Sequence, residues 1–163
     1  MTFDEVLAEQ GRALWRVVAS YAPPGAERDD LAQDVLLAVW QALPALRGES
    51  SSRSFVLRIA HNRGLSHVWR RAQRPTAGSA PLEVADPRPG ADEHLATGER
   101  IEVFLRHLRT LPLGQRQVLA LALEGLSHSE ISEIMGITRE NVAVRLGRAR
   151  ESLRRAIEKE EAA

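Results

Sequence analysis

The sequence predicts an all-α protein: two small helical domains joined by a flexible linker. Apolar residues recur at helical spacing in segment after segment, and no segment sustains the alternation of a β-strand. Between the helical stretches lies PTAGSAPLEVADPRPGADEHLATG, with four prolines, three glycines and no strong period. These features divide the chain into residues 1–74, a linker at 75–98, and residues 99–163. A length of 163 residues suits one domain or two small ones.

The first stripe is Phe3, Val6, Leu7, Leu14, Val17, Val18 and Tyr21, ending before Pro23-Pro24-Gly25. A second helix, about Arg28 to Leu43, carries Leu31, Val35, Val39, Ala42 and Leu46 on one side. Leu36 and Trp40 broaden that stripe, and Asp29, Asp30, Gln33 and Asp34 crowd its first turns. Pro44 and the polar run from Arg47 to Ser52 make a loop.

A third helix follows, about Arg53 to Ala72. Phe55, Ile59, Asn62 and Trp69 share one face with Leu65 beside it, and Arg63, His67, Arg70 and Arg74 line the next. Such a row tracks a nucleic-acid backbone, each arginine neutralising one phosphate. The competing reading is a solubilising face, but no acid interleaves with the arginines. Helices resume near Glu99, with Ile101, Phe104, Leu105 and Leu108 periodic. Pro112 interrupts them, and a helix from about Gly114 to Glu124 leads through Gly125.

The stretch LSHSEISEIMGITRENVAVRLGRARESLRR then reads as two helices and a tight turn. Ser127 and Glu130 form a capping box, Ile131, Ile134 and Met135 an apolar side, Gly136 the stop, and Thr138 the next cap. Val142, Leu146, Ala149 and Leu153 make the inner face of the second helix, with Arg139, Asn141, Arg145, Arg148, Arg150, Arg154 and Arg155 off it. This is a helix-turn-helix pattern, whose second helix enters the major groove. A plain helical hairpin with a solvated arginine face fits the same segment.

The formal net charge is zero, but charge is segregated. From Ser50 to Arg74 there are six arginines and no acid. From Asp4 to Asp34 there are seven acids against three arginines, and from Arg139 to Arg155 six arginines against two glutamates. Local distribution governs the field near a surface. Lys159 is the only lysine, so positive charge is almost all guanidinium, suited to phosphate and guanine.

Catalysis and metal binding find no support. Cysteine is absent, and His61, His67, His94, His107 and His128 lack ligand spacing. Ser50, Ser51 and Ser52 lack a nucleophile-elbow context. Trp15, Trp40 and Trp69 sit on or near apolar stripes, so each is expected in the core. No cofactor is expected. The absence of a spanning segment or signal peptide suits a cytoplasmic protein.

RDDLAQDVLLAVWQAL, then SRSFVLRIAHNRGLSHVWRR, then LRTLPLGQRQVLALALEGLSHSEISEIMGITRENVAVRLGRARESLRR resemble, in order, the promoter-binding parts of an extracytoplasmic-function (ECF, group IV) bacterial sigma factor of the sigma-70 family. The resemblance covers all but the linker and termini, and no third domain intervenes. It implies that residues 1–74 are sigma domain 2 and residues 99–163 sigma domain 4. It implies a non-enzymatic subunit that binds core RNA polymerase, through its β′ and β subunits, and directs initiation at −35 and −10 promoter elements. By this resemblance Asp29, Asp30, Leu31, Gln33, Asp34, Leu37 and Trp40 dock on the polymerase. Arg53, Arg58, Asn62, Arg63, His67, Arg70, Arg71 and Arg74 meet the −10 element, Asn62 helping to form a pocket for a flipped base. Thr138, Arg139, Glu140, Asn141, Val144, Arg145 and Arg148 meet the −35 element. An anti-sigma factor is implied by the resemblance alone. The chain departs from the family pattern at Phe55-Val56-Leu57, where tryptophan and leucine are usual, at Ser66, where aspartate is common, and at Ala143, where a basic residue often sits. A stand-alone helix-turn-helix regulator and a helical polymerase-binding adaptor are the alternatives.

Overall fold

The computed structural model describes residues 1–46, 48, 51–74 and 92–163, the side chains of 92–97 excepted. Among the described residues seven α-helices follow in order: α1 Phe3–Tyr21, α2 Ala26–Ala42, α3 Ser52–Gln73, α4 Asp92–Thr110, α5 Leu113–Leu123, α6 His128–Met135 and α7 Arg139–Glu161. Pro44 sits in a short 3-10 turn, Leu43–Ala45, that extends α2.

Local chemistry explains the boundaries. Thr2 and Glu5 form a reciprocal capping box that starts α1. Gly25, at φ 116°, makes the turn into α2, a conformation that side chains disfavour. Ser51 accepts from the Ser54 amide to start α3. Pro112 breaks α4 from α5. Residues 75–91 of the expected linker lie outside the described residues, as do Arg47, Glu49 and Ser50 of the expected loop. At the linker's far end α4 starts at Asp92, not near Glu99. No proline follows Pro89 until Pro112, so the sequence does not bar a helix from Asp92 onward.

Helices α1–α3 form one unit and α4–α7 a second, and the two pack together. α1 lies against α4 and α5, and α3 touches α6. Val17, Val18, Leu31, Val39 and Leu57 of the first unit join Leu108, Val118, Leu121, Ile131 and Val142 of the second in one continuous core. Ion pairs seal the junction. Arg16 donates from Nε and Nη2 to the two oxygens of buried Glu124 at 2.6 and 2.7 Å. Arg28 donates to both oxygens of Glu102 at 3.0 and 3.1 Å. Arg109 reaches the same carboxylate at 2.8 Å and the Ala19 carbonyl at 3.0 Å. Burial pushes the Glu102 carboxyl up, but hydrogen bonds from Arg28 and Arg109 outweigh it and hold the group below the ordinary carboxylate range.

The tryptophans overturn a core expectation. Trp15, Trp40 and Trp69 are 45%, 58% and 62% exposed. Smaller residues fill the space they were expected to occupy: Val35, Ala38 and Val39 on α2, and Val56, Leu57, Ala60 and Gly64 on α3. Trp15 instead lies under the Arg28 guanidinium, 5.6 Å from the ring centroid. Ile101, expected on the apolar side of its helix, is also exposed.

Candidate nucleic-acid interface

The seat of α3 explains what the helix shows to solvent. Val56, Leu57, Ala60, His61 and Gly64 face inward. At Gly64 the Tyr21 ring is so close that an added Cβ would lie 2.3 Å from it. The Tyr21 hydroxyl and His61 Nδ1 are 2.9 Å apart, both buried. Burial pushes His61 down to about 4 and Tyr21 up, so both are neutral at pH 7 and a single hydrogen bond joins the phenol oxygen and Nδ1.

Phe55, Ile59, Asn62 and Trp69 do share a face, but it turns outward. Phe55 and Ile59 are half-buried at its edge, while Asn62 and Trp69 are exposed, in line with exposed Arg58. Arg58, Asn62 and Trp69, at spacings of four and seven, thus form an outward polar-aromatic row.

The arginine row beside it is already paired, by acids from α2. Asp34 lies 3.5 Å from Arg63 and 3.7 Å from Arg70. Glu27 lies 2.6 Å from His67 Nε2 and also meets Arg71. The expectation of a row without acids therefore needs correction: local sequence excludes them, and the neighbouring helix supplies them. Arg53 is tied down too, donating to the Glu124 carbonyl and lying 3.6 Å from its carboxylate. Arg74 is exposed at the helix end.

On α2, Asp29, Asp30, Gln33, Leu37 and Trp40 form an exposed acidic and apolar strip. Two residues expected with them do not belong. Leu31 is only 2% exposed, a core residue on the opposite side of the helix. Asp34 turns inward toward α3.

The helix-turn-helix forms as its sequence requires. Ser127 and Glu130 cap α6 reciprocally, at 2.7 and 3.1 Å. The Ser127 backbone amide, chiefly, holds the Glu130 carboxyl below its ordinary range. Gly136 adopts φ 67°, and Thr138 accepts from the Asn141 amide at 3.1 Å. Val142, Leu146 and Ala149 are buried. Thr138, Arg139, Glu140, Asn141, Ala143, Val144 and Arg148 are exposed in the first turns of α7. Arg145 is half-buried, its Nη1 packed over Gly114 at the start of α5. Further along, Arg154 and Arg155 pair with Glu151, and Arg154 with Glu158, along the helix itself.

A groove of about 420 Å³ between α1, α4 and α5 is lined by Ile101, Phe104, Leu105, Leu108, Ala120 and Leu123, with Arg16, Arg100 and Glu124 at its rim. The sequence reading missed this groove, the outward placement of Trp69, and the partners Glu27 and Glu124. Trp69 was legible from its seven-residue spacing to Asn62, since a face centred on asparagine is a poor core face. The distant ion pairs leave no local signal.

Among the described residues no group of three or more His, Cys, Asp or Glu is placed to hold a metal. No helix among them is long and apolar enough to cross a membrane.

Two family profiles match the chain: sigma-70 region 2 over residues 7–74 and sigma-70 region 4 over residues 101–153. RNA polymerase sigma factor CnrH of Cupriavidus metallidurans is 29% identical over 160 residues, 93% of this chain and 84% of the relative. The ECF RNA polymerase sigma-E factor of Escherichia coli is 28% identical over 152 residues, 84% of this chain and 76% of the relative. The structure of CnrH in complex with the cytosolic domain of CnrY superposes with a TM-score of 0.66 at 26% identity, covering 96% of this chain and 88% of that one. A sigma factor RpoE in complex with the anti-sigma factor NepR, from Bartonella quintana, has the same fold, with a TM-score of 0.72 at 20% identity and 96% of both chains covered.

Proposed function

The chain belongs to the sigma-70 family as an ECF sigma factor directing promoter-specific transcription, and on that premise we propose how its surfaces divide the work. The family points to a regulator that acts by binding, not a catalyst. Residues 1–74 dock on core RNA polymerase and read the −10 element; the helical region beyond the linker reads the −35 element.

The observation that carries the assignment is the first three turns of α7. Arg139, Asn141, Val144 and Arg148 stand clear of the protein on a helix seated by Val142, Leu146 and Ala149. That is the face a recognition helix lays against base edges, with guanidinium and amide groups for purines and small apolar groups for thymine methyls. On α3 the outward row plays the corresponding part for opened DNA. Asn62 meets a flipped base, Arg58 a phosphate, and exposed Trp69 offers a ring on which an unpaired base stacks. The strip Asp29, Asp30, Gln33, Leu37 and Trp40 suits a basic polymerase surface with an apolar centre, the β′ contact. The groove beside α4 suits an amphipathic helix of a further protein partner, either the β subunit or an anti-sigma factor.

Both elements cannot be read from the compact arrangement. Their centres are about 25 base pairs, roughly 85 Å, apart. A compact chain of this length has a radius of gyration of about 15 Å. Reading both requires α4 and α5 to leave α1, breaking the Arg16–Glu124 and Arg28–Glu102 pairs. Residues 75–91 span at most about 60 Å when extended, which with the domains' own width supplies the reach.

Transcription with core polymerase and this protein on a promoter library tests the reading. A defined subset of promoters should gain initiation, with matching −35 and −10 sequences. If none does and core polymerase fails to bind, the assignment is wrong. Tight duplex binding without polymerase, at two-fold half-sites, would favour the stand-alone regulator instead.

A further inference from the structure

Glu27 and Asp34 stand two turns apart on α2, each beneath two basic side chains of α3. Glu27 meets His67 and Arg71; Asp34 meets Arg63 and Arg70. The geometry is layered. The carboxylates are only 23% and 30% exposed, whereas the guanidinium side chains of Arg63, Arg70 and Arg71 are 46–61% exposed. Asp34 Oδ2 is buried and makes no hydrogen bond among the described residues, which leaves its charge answered by arginines 3.5 and 3.7 Å away. Acid lies underneath, and arginine lies between it and solvent.

We propose that Glu27 and Asp34 are positioning residues for promoter binding: internal counterions that aim the arginine row of α3 and set how much of its charge DNA feels. This rests on the reading of α3 as the −10 face. A carboxylate beneath a guanidinium holds its plane and leaves the outer N–H groups for a phosphate. It also stands where a phosphate's charge would stand. An arginine already neutralised by protein adds less to counterion release on DNA binding than one neutralised by salt. Three arginines packed on one side of a helix are thereby kept from repelling one another and from gripping any strand indiscriminately. The acids act on DNA only through the arginines.

Asp34→Asn tests this, since it removes the charge and keeps the shape. The free protein is titrated with a single-stranded oligo-dT between 50 and 200 mM salt. Asp34→Asn should bind several-fold tighter at the low end, with the slope of log affinity against log salt steeper by about one. Holoenzyme carrying it should discriminate less between a cognate promoter and the same promoter with a scrambled −10 element. Glu9→Gln, which removes an equal charge from an exposed site on α1, should leave the slope alone. A merely structural role would lower the melting temperature and move neither slope nor discrimination.

An unchanged slope in Asp34→Asn overturns the proposal, as does an equal steepening in Glu9→Gln, which would point to net charge alone. Should Asp34→Asn fail to fold, Glu27→Gln carries the test by the same criteria. The functional reading fails separately: if the wild-type chain confers initiation on no promoter, that reading is lost and this inference with it. If wild type initiates and the slopes stay put, only the positioning role is wrong.

Discussion

Helices α3 and α7 are both long, both rich in arginine, and built on opposite plans. α7 rests on an apolar seam, Val142, Leu146 and Ala149, and the arginines of its first turns make no ion pair among the described residues. α3 rests on a mixed seam, with a buried histidine and a glycine under a tyrosine ring, and its arginine row is held by acids of α2. The difference fits the two targets we propose for these helices. Duplex DNA presents a fixed groove that a clear helix face can enter, whereas an opened strand is pliable and must be given a shape.

Acid should break the mixed seam of α3 and spare the apolar seam of α7. His61 is pushed down to about 4 by burial, against about 6.5 when unfolded. Its neutral form is the one the fold accepts, so the stabilisation is intact above pH 6.5. It is lost as pH falls from 6.5 toward 4, because the unfolded chain takes up the proton first. The loss amounts to about 3 kcal/mol, on the order of the shift itself. All three tryptophans lie in residues 1–74, so their fluorescence reports from this unit. Urea unfolding followed by tryptophan emission should weaken steeply across that window, and His61→Gln should flatten the dependence. Equal pH sensitivity in His61→Gln would mean that another group carries it.

Gly64→Ala should break the same seam at a smaller cost. Removing a glycine from a helix interior ordinarily gains about 1 kcal/mol. Here the new methyl meets the buried Tyr21 ring at 2.3 Å, and overpacking costs about 1–3 kcal/mol. A net loss of up to about 2 kcal/mol is expected in chemical unfolding. The same substitution at Gly147, where a Cβ meets nothing within 4 Å, should stabilise α7.

On the reading side, Arg148→Ala should lower discrimination at one −35 base pair by about 1–2 kcal/mol without changing stability. The check is promoter-variant transcription beside a thermal melt. Arg145→Ala should also loosen the packing over Gly114, since its side chain is half-buried there.

What was legible in the sequence follows from the range of each interaction. Caps and turns act over three or four residues, so Ser127 with Glu130, Gly136 and Thr138 were readable as written. The seam of α7 has a clean period because every member is apolar. The seam of α3 has none, since His61 and Gly64 interrupt it, and the apparent period through Phe55, Ile59 and Trp69 belonged to the outer face. Pairings across helices, such as Asp34 with Arg63 or Arg16 with Glu124, depend on how helices cross, and no spacing along the chain encodes that. The resemblance placed Asp34 and Leu31 on the docking strip by position; packing turned them inward.

The starts of α3 and α6 offer a finer contrast between the two units. Ser127 and Glu130 satisfy each other's backbone amides, at 3.1 and 2.7 Å, so two N–H groups of α6 are answered at once. Ser51, which starts α3, accepts from the Ser54 amide at 3.2 Å, but position three is a serine, whose hydroxyl instead bonds the Ser51 hydroxyl. Ser127→Ala should therefore cost about 1 kcal/mol and Ser51→Ala about half that, near the lower end for capping residues. Glu130→Gln should retain most of the Ser127 box, because an amide oxygen still accepts the backbone N–H. Urea unfolding of the three variants orders them. If Ser51→Ala proved the costlier, α3 would depend on its cap more than on its seat, and Tyr21, His61 and Gly64 would contribute correspondingly less to holding the helix in place.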